Sequence, residues 1–398
     1  MAADGAAAIG AGSRAHRLTW RLLAFWPILL LGALGVMGAS VYQGWQLTHP
    51  PRVAVAGDPG TEAFLEYRCL PSGGEVFSCG QTLFTPGPHI PIAGWIIPAV
   101  PNHGYPSSSG NWSQNTVIFV GDHGQSRTST PFPLWDVTTV LNEMGYNVVL
   151  FDTEGTGNSG GAAVGYGTLE VRDLETVVKY LPQLAAPQGN IAVWGLGTGA
   201  DTALIAASRD RAIGAVIADS PYVSPQAFLR RAIPGWTGLP AFPFAHTILW
   251  AMQQETGVDY GAYNPLHAVR QLGKVAPPAR PLLLVAGAAD TLTPPSGITR
   301  LLDASKDNNA LPLAVLGAGH LQAFAASRPS KGVPGLSEYM CDALDTLKAM
   351  QTGKSPGEEE HAAPCGGAAA ILSAPNLPPL PASVGGQPAG AVGGAKTP

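Results

Sequence analysis

Asn190 to Leu204 reads NIAVWGLGTGADTAL. A short apolar and β-branched run, Ile191 to Trp194, reaches a glycine-rich turn, and a helical run begins near Thr198. This strand, tight turn and helix have the layout of a nucleophile elbow, G-x-S-x-G, in which a serine sits on a strained turn. Gly195 and Gly199 hold the two flanking positions, and the position between them is Gly197. A glycine has no hydroxyl, so no acyl intermediate can form there by the usual route.

A second reading of the same residues comes from another class. Gly195 to Ala200 fits G-x-G-x-x-A, the dinucleotide fingerprint, in the context it needs: a strand before it, a helix after it, and Asp219 at the end of the next strand. The surrounding chain has to separate the two.

Short, continuous apolar runs recur on both sides of the turn: Thr116 to Val120, Asn147 to Phe151, Ala215 to Ala218, Pro281 to Ala286 and Leu313 to Leu316. Such runs suit strands buried on both faces. Helical patterns at Leu134 to Met144, Leu169 to Leu181, Thr198 to Ser208, Ile298 to Ser305 and Leu336 to Met350 alternate with them. The alternation predicts an α/β fold: a mostly parallel sheet with helices on both faces. Gln81 to Phe84 and Ile90 to Ile97, separated by Pro86-Gly87-Pro88, predict an antiparallel strand pair ahead of it.

One stretch breaks the alternation. About sixty residues between Ala218 and Pro281 hold no good strand, which is long for a compact domain. Phe228, Trp236, Phe242, Phe244 and Trp250 make it aromatic, so residues 221–280 read as a helical cap inserted into a domain spanning 80–351. An extra helical layer with no pocket role is the alternative. Residues 352–398 are rich in Gly, Ala and Pro and read as a disordered tail.

At the other end, Leu22 to Tyr42 is almost wholly apolar, and a helix of this length spans about 31 Å, enough for a bilayer core. Its apolar region exceeds the length usual for a signal peptide, although Gly38-Ala39-Ser40 could serve as a cleavage site. Arg14, Arg17 and Arg21 precede it, so residues 1–21 are expected in the cytoplasm. The reading is a single-pass anchor at 22–42, a linker and pre-domain segment at 43–79, and a main domain outside the cytoplasm. Exported domains can carry disulfides. Cys69 and Cys79 flank a turn-rich segment, and a Cys341–Cys365 bridge would pin the tail to the last helix. Four cysteines allow three connectivities, and four free thiols are the alternative. A net charge of −5 gives no reason to expect nucleic acid, and no metal or cofactor is expected.

The predicted strand ends carry the chemistry, because open α/β sheets place their sites there. They read Gly121-Asp122-His123, then D-x-x-G-x-G-x-S-G at Asp152 to Gly160, the Gly197 turn, D-S-P-Y at Asp219 to Tyr222, G-x-x-D-x-x-x-P-P at Gly287 to Pro295, and G-x-G-H at Gly317 to His320. This series resembles the α/β-hydrolase superfamily, in its serine-aminopeptidase-like and prolyl-oligopeptidase-like branch with an N-terminal membrane anchor. The resemblance covers roughly Gln81 to Met350. It implies the order Ser, Asp, His for a catalytic triad. Asp290 would orient His320, and His320 would be the general base. The bland alternatives are a turn or helix-cap aspartate and a surface-loop histidine. Oxyanion donors would be the backbone N–H groups of His123 and Thr198. Ser159 and Ser220 match family positions that are not the nucleophile.

Two departures cluster at that end of the sheet. Gly197 replaces the serine, and Asp122 would bring a negative charge close to a developing oxyanion, opposing what such a hole supplies. The resemblance implies hydrolysis of an ester, thioester or amide of a small or lipid-like substrate, if the chain is active. One alternative is an inactive hydrolase fold that binds a ligand or a protein partner. Dinucleotide binding is the second.

Overall fold

The computed structural model describes residues 7–56, 82–84, 90–97, 99, 113, 115–181, 190–272, 280–305, 310–329 and 336–353. Cys69, Cys79, Cys365 and the tail beyond Gly353 lie outside these residues, so the expected disulfide pairings and tail fall outside them too.

The eight strands among the described residues are β1 (Thr82–Phe84), β2 (Ile92–Ile97), β3 (Asn115–Val120), β4 (Tyr146–Phe151), β5 (Asn190–Leu196), β6 (Ile213–Asp219), β7 (Leu282–Gly287) and β8 (Ala310–Val315). They form one sheet in the order β1-β2-β4-β3-β5-β6-β7-β8. The pairs β1–β2 and β2–β4 are antiparallel, and every later pair is parallel. Helices α2 (Leu134–Glu143) and α10 (Glu338–Thr352), with the short α9 (Ala323–Ala326), cover one face, burying Val137, Leu141, Phe324, Leu344 and Leu347 against Trp194 and Ile217. Helices α3 (Glu170–Tyr180), α4 (Thr198–Arg209), α7 (Pro265–Leu272) and α8 (Pro295–Ala304) cover the other, around Val193, Leu204 and Leu284. Strands buried on both faces explain why the sequence shows continuous apolar runs rather than alternation. This is the expected α/β architecture, and β5, whose C-terminal end carries the elbow, lies inside the sheet.

β8 differs most from expectation. It starts at Ala310 and carries Pro312, which the sequence reading left outside. Its partner on one side only is β7, with Pro312 opposite Leu284. A proline is tolerated on such an edge strand, because an N–H facing away from the sheet is not needed. Residues 221–280 contain α5 (Pro225–Thr237), α6 (Ala241–Thr256) and α7, and no strand among the described residues.

The chain divides into two compact units. His49–Phe228 with Val258–Pro398 holds the sheet, and Met1–Thr48 with Leu229–Gly257 forms the other. The second unit pairs helix α1 (Ala7–Thr48) with α6. α1 therefore continues to Thr48, through residues 43–48 that the sequence reading gave to a linker.

Candidate functional site

β5 ends at Leu196, and α4 begins at Thr198. Between them Gly197 sits at φ 57° and ψ −118°, a conformation that suits glycine and strains other residues. The flanking glycines answer to close packing. A Cβ on Gly195 would strike the backbone of Gly199, and one on Gly199 would strike the carbonyls of Val120 and Gly121. The strand, turn and helix are thus pressed together as an elbow.

The loop after β3 fills the space above that elbow. A Cβ on Gly197 would lie 2.5 Å from Oδ1 of Asp122. The same Oδ1 accepts a hydrogen bond from the Thr198 N–H at 2.9 Å. That N–H is the first of α4, where the helix end favours negative charge. Asp122 thus occupies both the nucleophile position and one of the two expected oxyanion donors. The Thr198 N–H, expected as an oxyanion donor, here donates to a resident carboxylate.

The loop after β7 supplies the next member. Asp290 accepts from the backbone N–H groups of Leu292 and Thr293, each at 2.8 Å, and from the Thr293 hydroxyl. Its other partner is His320, from the loop after β8, whose Nδ1 lies 2.9 Å from Asp290 Oδ2. His320 Nε2 lies 3.8 Å from Asp122 Oδ2. The structure therefore brings Asp290, His320 and the Gly197 turn together and places a second carboxylate where the serine hydroxyl would stand.

Charge follows from this sandwich. Burial disfavours the His320 imidazolium, but hydrogen bonds and attraction from Asp122 and Asp290 prevail, and its pKa is pushed up to about 10. Burial likewise opposes ionisation of Asp122, yet His123 and His320 hold its carboxyl well below the usual carboxylate range. Burial also opposes Asp290, and His320 and Thr293 bring its carboxyl below the ordinary value. At neutral pH the site holds an imidazolium between two carboxylates. A charged imidazole has no lone pair with which to take a proton.

His123 adds a second ring. Its Nδ1 lies 3.0 Å from Asp122 Oδ1. Burial works against its charge, and Asp122 outweighs this and raises its pKa. The ring packs on Tyr166 at 4.8 Å between centroids and edge-on to Phe228 at 6.4 Å. Tyr222 stacks on Phe228 at 4.6 Å and donates its hydroxyl hydrogen to the Tyr166 carbonyl.

The two other motif serines are structural. The Ser159 hydroxyl donates to the Asp152 carbonyl at 2.6 Å and accepts from the Ala93 N–H. The Ser220 hydroxyl donates to Asp219 Oδ1 at 2.9 Å. Asp152 is buried against Arg127 at 2.8 Å and ties the β3 and β4 loops together. Asp219 also accepts from the Tyr339 hydroxyl. Its carboxylate is therefore turned into the core and does not fit the ribose contact that a dinucleotide loop needs, and Asp122 already sits at the helix end where a pyrophosphate would bind.

Sequence reasoning missed two buried carboxyls beside the site. Glu170 accepts from the N–H groups of Gly165, Gly167 and Thr168. Asp201 accepts from the Tyr222 N–H at 3.1 Å, while its Oδ1 has no partner. Burial raises the pKa of both. In the sequence each is an acid in the first turn of its helix, a position that an exposed acid also takes.

The sheet order and the helices on both faces are those of the α/β-hydrolase fold, which solved structures of similar architecture share. Residues 103–232 match the family model of X-Pro dipeptidyl-peptidase (S15 family). The uncharacterised protein YqkD of Bacillus subtilis (strain 168) is 28% identical over 188 residues, which cover 47% of this chain and 59% of that relative. The match therefore leaves two fifths of the relative's length uncovered. An esterase of Pyrococcus furiosus has a similar structure, with a TM-score of 0.51, 23% identity, and coverage of 69% of this chain and 90% of that one. A puromycin hydrolase gives a TM-score of 0.50 at 18% identity, covering 69% of this chain and 39% of that one. At these identities the two structures speak for the fold alone.

Proposed function

We propose that this chain is a membrane-anchored hydrolase-fold protein that binds a small or lipid-like molecule at the strand ends without cleaving it by serine acyl transfer. One observation carries the reading. The Asp122 carboxylate lies over Gly197 on the Thr198 N–H and so fills the space that an acyl-enzyme and its oxyanion would need. The proposed ligand class is an ester, thioester or amide, as for hydrolases of this fold. Support for the anchor comes from α1, where Trp26–Thr48 is long enough to cross a bilayer and contains an 18-residue window of mean hydropathy 1.4 in which 11% of the residues are buried. A signal sequence would pass the same test. The arginines before it favour a cytoplasmic N-terminus and a main domain on the far side.

The test is to expose the full chain to a panel of acyl esters, thioesters and acyl amides, reading thermal stabilisation and product together. Saturable stabilisation without product is expected. Steady turnover by the unaltered chain would contradict the reading.

A second reading, hydrolysis by a carboxylate, is favoured by Asp122 Oδ2 facing His320 Nε2 at 3.8 Å. Here the ionised Asp122 attacks the acyl carbon to form a mixed anhydride while the His320 imidazolium protonates the leaving group; water then cleaves the anhydride, freeing the acid and Asp122 and returning one proton to His320. It requires turnover that Asp122→Asn and His320→Gln each abolish.

A further inference from the structure

The unit formed by α1 and residues 229–257 has its own internal register. Ser40 and Thr247 hydroxyl oxygens lie 2.7 Å apart. A Cβ on Gly44 would lie 2.9 Å from the Ala251 Cβ. Each contact advances four residues along both helices, so α1 and α6 run parallel, pressed together along Ser40, Gly44, Thr247 and Ala251. This register sets Phe244 level with Met37 of α1 and Gln253 level with Gln46, and Phe242, extended at φ −106° and ψ 130°, lies just before the regular helix.

Three features of α6 then match α1 at the same heights. Residues 232–254 contain no Asp, Glu, Lys or Arg, as in 22–48 of α1. The large apolar side chains on the outside of both helices are exposed: Leu34, Met37 and Val41 on α1, and Phe242, 84% exposed, at the start of α6. Aromatic side chains gather at the level where both helices turn polar, with Tyr42 and Trp45 on α1 and Trp250 on α6, each about half exposed. Aromatic residues at such a transition suit a membrane interface.

We propose that the turn between α5 and α6, with Phe242 at its end, enters the lipid bilayer beside α1. It reaches the acyl chains of the leaflet on the C-terminal side of α1. The partner is the lipid acyl chain, and the device is a second, re-entrant membrane contact held to the anchor by helix packing. Water cannot satisfy polar groups at that depth. The absence of charge over the whole turn and the Ser40–Thr247 hydroxyl pair meet this condition. The inference rests on the reading of α1 as an anchor.

The experiment places a genetically encoded fluorescent amino acid at Phe242, Leu30 or Gln254 of the full chain. Each protein is reconstituted into phosphatidylcholine–phosphatidylglycerol vesicles containing lipids brominated along their acyl chains. Labels at 242 and 30 are expected to fall below about half of their unquenched brightness, with the label at 254 little changed. Quenching at 30 without quenching at 242 overturns this inference and leaves the anchor intact. No quenching at either position overturns both.

Discussion

A carboxylate at Asp122 and a bare backbone at Gly197 fit the same few ångströms. Serine at 197 would place its Cβ against Asp122 Oδ1, which is pinned by the Thr198 N–H and by His123. The carboxylate would have to swing away and break both bonds. Gly197→Ser alone is therefore expected to cost about 1–3 kcal/mol, through positive φ and this collision. Asp122→Gly should recover part of it, as chemical denaturation of both variants would read. The sequence showed both departures but not that they are complementary, because no spacing rule ties a loop after one strand to the turn after another. The electrostatics test the same contact. His320 should remain charged through neutral pH and titrate near 10, and Asp122→Asn should lower that midpoint, leaving Asp290 to hold it. Imidazole nitrogen shifts followed by NMR against pH would show this. A midpoint near 6.5 in both proteins would contradict the sandwich.

At the scale of elements, the strands buried on both faces were legible because burial leaves a continuous apolar run. β8 was less legible, since its proline and half-exposed pattern look like a loop until the strand is seen at an edge. The α1–α6 pair was not legible at all. Its contact side chains are small and polar, so neither helix advertises a partner. The pair predicts that cysteines at Ser40 and Thr247 form a reductant-sensitive bridge, detectable as a linked peptide by mass spectrometry. Gly44→Leu should suppress that bridge, because its side chain would meet Ala251 and the Met252 backbone. Overpacking of this kind typically costs about 1–3 kcal/mol. Unchanged bridging in the Gly44→Leu background would argue against the register.

Among the described residues, several buried carboxyls titrate above the ordinary carboxylate range, and this gives stability an unusual pH dependence. Burial raises Asp173 to about 8, against the opposing Glu154 N–H. Burial raises Asp219 to about 6 despite Ser220 and Tyr339. Asp342 rises to about 7 through burial, Glu338 and Asp345. These groups hold protons in the folded chain that they release when unfolded above about pH 4. His320 acts in the same direction: its contribution is complete below about 6.5 and is lost as pH rises through about 10. Asp122 and Asp290 act oppositely, but only as pH falls below the ordinary carboxylate range. The urea midpoint should therefore fall from pH 5 to pH 8.5, and a rise over that interval would contradict the protonation states described here. None of this was readable in the sequence, where an acid on a helix looks alike whether buried or solvated.

The most direct test of the central claim is covalent labelling by a serine-directed fluorophosphonate in four proteins: the unaltered chain, Gly197→Ser, Asp122→Gly and the double variant. If Asp122 fills the place of the nucleophile and its oxyanion donor, the unaltered chain and Asp122→Gly stay unlabelled. Gly197→Ser then labels weakly, and Gly197→Ser with Asp122→Gly labels strongly through Asp290 and a released His320. Labelling of the unaltered chain, or equal labelling of the single serine variant and the double variant, would contradict it.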